Sequence, residues 1–306
     1  MVSAAAFATS GTFGKSLLEA GWSPGAAVGA RISLAALVLS IPAIIQLKGQ
    51  WHLLRRNAGL IAVYGTVAIG GCQLFYFNAV QTLSVGVALL LEYLGLVLVV
   101  GWLWLRHGQR PKRWTLIGIV LSVAGLALVL DVTGGMRVDI TGVLWGLGAA
   151  VGLATFFVLS GHDDTGLPPL VMAAAGMWVG AAVLGAAGLS GILPMAVSTI
   201  DVDLANVSLP WWVSVAGLSL VAAAVAYSTG IAATRALGSK LASFIGLSEV
   251  LFATVFAWLL LDDTLLAVQI VGGVLIVAGV FAVRYDEPDP AATEESVLVD
   301  HLIVDL

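Results

Sequence analysis

The chain has 306 residues, of which 60% are hydrophobic and 10% charged, with a formal net charge of -5 and a mean hydropathy of +1.04. A soluble domain is roughly a quarter charged, so this composition excludes a water-soluble globule, and the acidic balance excludes a nucleic-acid partner. Cys72 is the single cysteine, which excludes an intramolecular disulfide.

Ionisable residues gather between apolar runs of about 17 to 25 residues, the length that carries a helix across about 30 Å of hydrocarbon. A closed barrel would need apolar and polar residues to alternate, and stretches such as Leu116–Leu130 and Val271–Val283 do not. The pattern predicts an all-α membrane protein with ten transmembrane helices at about 2–18, 25–47, 58–81, 84–105, 114–131, 140–160, 168–190, 211–234, 239–261 and 265–284.

The first span begins at Met1 with no polar flank, and reads either as a shortened start or as a thin or tilted end helix. No basic segment precedes it, which argues against a cleaved signal peptide. Lys15 and Glu19, four apart, form an expected surface pair. In the second span Arg31 is the deepest basic residue and needs a partner. Glu92 is the first candidate, with backbone carbonyls or snorkelling to the headgroups as the alternatives; an unpaired Arg31 would suit a substrate carboxylate.

On the third span Gln73, Tyr76 and Asn78 cover one broad face, fit either to line a cavity or to bond between helices. Glu92 in the fourth span and Glu249 in the ninth are the acids inside predicted spans. Each costs about 2.5–3.5 kcal/mol on insertion scales, which marks it as functional by default. Both lie roughly 12–15 Å deep at about 1.5 Å per residue, approaching the midplane from opposite sides. Either could bind a substrate ammonium or take up a proton; the alternative is a carboxyl locked to a neighbouring helix.

Trp22, Trp51, Trp114, Trp211 and Trp212 fall at predicted span edges, where an amphipathic ring prefers the headgroup zone. Trp102, Trp178 and Trp258 lie deeper, and Trp258 is retained as a ring that could stack on substrate. Gly142-x-x-x-Gly146, Gly148-x-x-x-Gly152 and Gly176-x-x-x-Gly180 predict close helix packing. An even number of spans puts both termini on one side. Lys and Arg concentrate in the connections on that side, from Lys48 through Arg110 to Arg284, so both termini are predicted to be cytoplasmic.

The segment from Ala79 to Glu92 lines up with Ala236 to Glu249 at an offset of 157 (249 minus 92), and Val123-Ala124-Gly125 matches Val277-Ala278-Gly279. Glutamate falls on glutamate. The chain therefore divides into 1–135, 136–285 and an acidic, disordered cytoplasmic tail at 286–306. An odd number of spans per half inverts the second half relative to the first, and inverted repeats place binding sites near the midplane where the halves meet.

Leu91-Glu92-Tyr93-Leu94-Gly95, Ser248-Glu249-Val250 and the run Gly272–Gly279 resemble the EamA family of the drug/metabolite transporter (DMT) superfamily over both halves. The first of these elements looks most like the threonine/homoserine exporter branch. The resemblance implies two inverted five-helix EamA repeats, a central cavity, and amino acid efflux or export of related small metabolites across the bacterial inner (plasma) membrane. Leu96 and Val250 stand where relatives often carry proline, which predicts straighter helices here.

An enzyme is not expected. Gly188-Leu189-Ser190-Gly191 has the form of an intramembrane serine protease element, but no histidine lies inside a predicted span to activate the serine. The sequence carries no metal-ligand cluster, Walker motif or dinucleotide fingerprint, so no cofactor is expected. The partners are then a small-molecule substrate and the lipid bilayer, for a monomer or a homodimer. The competing reading is a membrane channel or a non-transporting membrane sensor.

Overall fold

The computed structural model describes residues 1–83, 85–129, 139–162, 165–204, 207–261 and 267–286, with the side chains of residues 85, 86, 107, 129, 254, 257–261, 269, 284 and 286 left out. Helices dominate. In chain order they are α1 (Val2–Glu19), α2 (Pro24–Leu47), α3 (His52–Arg56), α4 (Ala58–Val63), α5 (Cys72–Thr82), α6 (Val85–Tyr93), α7 (Gly95–His107), α8 (Arg113–Val129), α9 (Ile140–Ser160), α10 (Pro169–Leu189), α11 (Trp211–Ser219), α12 (Ala226–Leu237), α13 (Ser239–Gly246), α14 (Ser248–Leu261) and α15 (Ala267–Asp286). A two-stranded antiparallel hairpin, β1 (Val202–Leu204) with β2 (Val207–Leu209), precedes α11.

Local chemistry sets the ends. Ser23 caps α2 by accepting from the Ala26 amide at 3.3 Å, ahead of Pro24, whose fixed φ and missing N–H suit a first helical position. Asp139 caps α9 through the Thr141 amide at 2.9 Å. Gly108, at φ 67°, ends α7 in the left-handed conformation that glycine adopts without strain.

Among the described residues, six stretches are long and apolar enough to cross a membrane: Pro24–Leu47, Ala58–Thr82, Val87–Arg106, Ile140–Ser160, Pro169–Leu189 and Trp211–Leu237. Shorter apolar helices occupy Arg113–Leu128 and Ile270–Val283. The chain is a multi-pass membrane protein. Its surface bears this out, since Ile41, Ile45, Val120 and Phe281 are each about two-thirds or more exposed, as lipid-facing side chains are.

Two of the long rods are not plain α-helices. Between α4 and α5 the backbone is π-helical over Tyr64–Gly71, and between α11 and α12 over Leu220–Val225. Two others break without proline. Leu94 separates α6 from α7, and Leu247 separates α13 from α14. Amides there bond three residues back, Leu94 to the Leu91 carbonyl and Leu247 to the Phe244 carbonyl, each at 3.1 Å. The expectation of straighter helices at these places is therefore wrong. Glycine does the work assigned to proline: a Cβ on Gly95 would sit 2.7 Å from the Ala150 carbonyl oxygen, so a neighbouring backbone crowds the break.

The packing has a matched plan. α8 lies along α15 and α2 along α10, in the two most extensive interfaces. α9 packs on α5, α6 and α7, while α1 packs on α11, α12 and α14. Each half thus lends its first long helix to the other. The glycine pairs behave as expected. A Cβ on Gly152 would lie 2.7 Å from Cys72 Cα, and a Cβ on Gly180 would lie 2.8 Å from the Gly65 carbonyl oxygen, so α9 and α10 meet their neighbours at backbone distance.

At one end, the loop before the hairpin is tied to the connection between α1 and α2. The Trp22 indole donates to the Ser198 carbonyl and the Ser23 hydroxyl to the Pro194 carbonyl, both at 2.8 Å. Trp22 is consequently buried against Trp211, with ring centroids 5.7 Å apart, whereas Trp51, Trp114 and Trp212 are about half exposed as edge residues should be. The Ser190 hydroxyl bonds the Ala187 carbonyl in an exposed turn. α15 reaches Asp286, the first residue assigned to the tail; 287–306 and the side chain of Trp258 lie outside the described residues.

Candidate substrate cavity

The bundle encloses a cavity of about 450 Å³ bounded by α1, α5, α6, α9, α12, α13 and α14. That volume falls within the roughly 300–1,000 Å³ typical of small-molecule sites. Among the described residues α8 and α15 contribute nothing to its lining.

Glu92 enters from the C-terminal end of α6 and Glu249 from the first turn of α14, so both acids sit beside a helix break. This placement follows from the breaks, since a turn that ends one helix lets the carboxyl leave the helix surface. Glu92 is 8% exposed. Its Oε1 accepts from the Cys72 thiol at 3.3 Å, and its Oε2 takes no hydrogen bond among the described residues. Glu249 Oε2 accepts from the Tyr93 hydroxyl at 2.8 Å. The two carboxyls are near enough to interact electrostatically.

Gln73 and Tyr76 also line the cavity, each largely buried. Asn78 does not. Its amide donates to the Leu74 carbonyl at 2.7 Å on its own helix, and its position faces away from the lining set.

Arg31 is fully buried and lies behind the wall rather than on it. The expected pairing with Glu92 is not formed. One guanidinium nitrogen donates to the Ser10 hydroxyl at 2.8 Å and to the Gln73 amide oxygen, and the other donates to the Ala222 carbonyl. Ala222 belongs to the π segment Leu220–Val225, and Gln73 lies two residues beyond the π segment Tyr64–Gly71. A π turn displaces the i→i−4 ladder, so a carbonyl can serve a side chain instead. The Arg31 fork thereby joins α1, the start of α5 and the rod of α11–α12 at one point, and Ser10 and Gln73 carry that junction to the cavity edge.

Sequence reasoning missed several lining groups. Tyr93 sits inside the motif that singled out Glu92, and its hydroxyl bridges Glu249 and the Gly246 carbonyl, the latter at 3.0 Å. Phe7, Phe156 and Tyr227 form an edge-to-face cluster with centroids 5.0 Å apart for Phe7 and Tyr227 and 5.6 Å for Phe156 and Tyr227. Single aromatics on three distant helices give no local signal. At one end of the cavity Lys15 and Glu19 form the expected pair, at 3.6 Å, and Asp203 of β1 joins them at the rim. The deep tryptophans are elsewhere: the Trp178 indole donates to the Ser40 hydroxyl at 2.9 Å between α10 and α2, and Trp102 is half exposed.

Comparison with known proteins gives the frame for this geometry. The sequence profile of the EamA-like transporter family matches residues 1–131 and 140–285. A solved crystal structure of a protein 19% identical in sequence superposes with a TM-score of 0.72, over 92% of this chain and 94% of that one. At that identity the likeness speaks for the fold alone.

Proposed function

Since the chain belongs to the EamA-like transporter family, we propose that it is a secondary carrier exporting a small metabolite with an amino group, amino acids included, by alternating access. The observation that carries this reading is the cavity onto which one carboxyl from each half opens, Glu92 from the first and Glu249 from the second. In the proposed arrangement ten spans form two inverted five-helix halves, with both termini in the cytoplasm of a bacterium and the protein in its inner membrane.

Two similar halves that exchange conformations convert an outward-open state into an inward-open one of comparable energy. The helix breaks at Leu94 and Leu247 and the two π segments supply the places where the rods can bend without losing their lipid-facing surfaces. Glu92 and Glu249 bind the substrate amino group or a counter-moving proton. The Arg31 junction holds the wall in register while this occurs.

Counterflow in proteoliposomes tests the reading. A carrier gives saturable, substrate-accelerated exchange; conductance that rises without saturation would instead indicate a channel. Flux that is absent for every solute in a screen of amino acids and amines, with and without an imposed pH gradient, would refute transport by this chain.

A further inference from the structure

We propose that the chain's own C-terminal segment, residues 287–306, docks on the basic turn between α7 and α8 and fastens the end of α15 to it.

The surface is a cluster of exposed cations. Arg106, Arg110, Lys112 and Arg113 fall within eight residues of sequence, and all four are exposed. Residues 104–114 hold no aspartate or glutamate. The guanidinium groups of Arg106, Arg110 and Arg113 make no hydrogen bond or ion pair among the described residues. Lys112 and Arg113 stand where α8 begins, so the positive end of the helix dipole adds to their charge instead of offsetting it. An anionic segment is therefore attracted to this turn. Trp104, Leu105 and Trp114, each about half exposed or more, flank the cations with apolar surface.

The position of the C-terminus names the occupant. α15 runs beside α8 and ends at Asp286. The Tyr285 ring stands edge-on to Trp114, with centroids 5.5 Å apart, so the chain departs from the foot of the cluster. Residues 287–306 lie outside the described residues; their sequence holds Glu287, Asp289, Glu294, Glu295, Asp300 and Asp305, and no lysine or arginine. Nine residues, from Asp286 to Glu295, reach at most about 30 Å, which is ample to cross the turn. Val297-Leu298-Val299 follow the paired glutamates and suit the apolar flanks.

An exposed ion pair is weak by itself. A short tether, however, holds several acids near several cations at an effective concentration in the millimolar range. Anionic lipid headgroups match the same cations but lack that covalent advantage. Among the described residues α8 and α15 contribute nothing to the cavity lining, so the docked segment braces the scaffold and leaves the cavity open. The contact stands whatever the cavity carries.

The test uses the full chain carrying Cys72→Ser, Gln109→Cys and Ser296→Cys in phosphatidylcholine vesicles, and follows oxidative cross-linking of the two new cysteines within one chain. In about 0.1 M salt, where charges are screened over about 10 Å, the disulfide should form at least about fivefold faster than in 1 M salt, where the length is about 3 Å. Glu294→Lys with Glu295→Lys should slow the low-salt rate by at least about fivefold, and adding Arg110→Glu with Arg113→Glu should restore it. In phosphatidylglycerol vesicles the rate should stay within about twofold of that in phosphatidylcholine.

A rate indifferent to salt and to the charge of residues 294 and 295 would overturn the proposal. A rate that falls in phosphatidylglycerol to the high-salt value would also overturn it, by assigning the turn to lipid headgroups. The Glu294 and Glu295 substitutions alter no residue of α1–α15, so these comparisons decide the matter even where the fourfold charge exchange fails to fold.

Discussion

Replacing Arg31 with alanine isolates the junction behind the cavity. The change strands the Ser10 hydroxyl, the Gln73 amide oxygen and the Ala222 carbonyl, all of which receive a guanidinium N–H in the native protein. Hydrogen bonds to a charged group contribute about 1.5–3 kcal/mol each, so three of them bring a gross loss of about 5–9 kcal/mol. Removing an arginine from the interior of a span returns about 2.5–3.5 kcal/mol of its burial cost. The net is a destabilisation of about 2–5 kcal/mol, after the usual shortfall from additivity. Arg31→Lys should lose roughly half as much, because an ammonium keeps the charge but cannot fork across three partners on separate helices. Unfolding of the purified protein in mixed micelles, titrated with denaturing detergent, measures both. An alanine variant within about 0.5 kcal/mol of the parent, the level of an ordinary surface change, would refute the claim that Arg31 is a structural keystone and return it to the list of free substrate ligands.

Other expectations follow from the same geometry. Glu249→Gln should alter transport or its pH dependence, and flux unchanged from about pH 5 to about pH 8 would remove the residue from the mechanism. Tyr93→Phe deletes the hydroxyl that holds the Glu249 carboxyl, so it should change substrate affinity several-fold while leaving thermal stability within about 1 kcal/mol; equal affinity would show that the bond is incidental. Gly152→Val inserts a side chain where Cys72 Cα would be 2.7 Å from the new Cβ. It should destabilise by about 1–3 kcal/mol, read in the same micelle titration, and a neutral result would mean that α9 can move off α5. In a Cys72→Ser background, a cysteine at Ser198 should react with an impermeant maleimide added outside intact cells and one at Arg110 should not, which tests the orientation of the halves.

Much of the architecture could be read from the chain because lipid imposes simple rules. The helices α1, α2, α9 and α10 begin and end within a residue or two of the apolar runs that predicted them, since a run of apolar side chains bounded by Gly, Pro or charge has few alternatives in a membrane. The place of Glu92 and Glu249 on the cavity wall is legible for a related reason: an acid in hydrocarbon is costly and is expected to face a polar interior. Arg31 was legible as a buried cation but not in its partners. Its ligands come from Ser10, Gln73 and a backbone carbonyl at Ala222, and a backbone carbonyl leaves no mark in the identities of side chains. The π segment Tyr64–Gly71 and the break at Leu94 fall where a neighbouring backbone crowds a glycine, Gly176 against Gly65 and Ala150 against Gly95, which is a property of the packed bundle. Asn78 had the right spacing and the wrong rotation, because a helical face is broad and the cavity uses only part of it. The small hairpin carries only a weak sequence signal, the two-residue alternation of Val202-Asp203-Leu204 and Val207-Ser208-Leu209.

The union of α8 with α15 has a consequence for how the protein is made. These helices meet at glycine: a Cβ on Gly125 would lie 2.6 Å from the Gly272 carbonyl oxygen, and one on Gly118 would lie 2.8 Å from that of Gly279. α8 is synthesised more than 130 residues ahead of α15, which begins at Ala267 and closes at Asp286. During the interval the flat glycine face of α8 has only lipid or insertion machinery against it. The seam on α8 therefore stays open until α15 has been made and packed against it, and a ribosome stalled before α15 should leave a product that the cell's quality control recognises as unfinished.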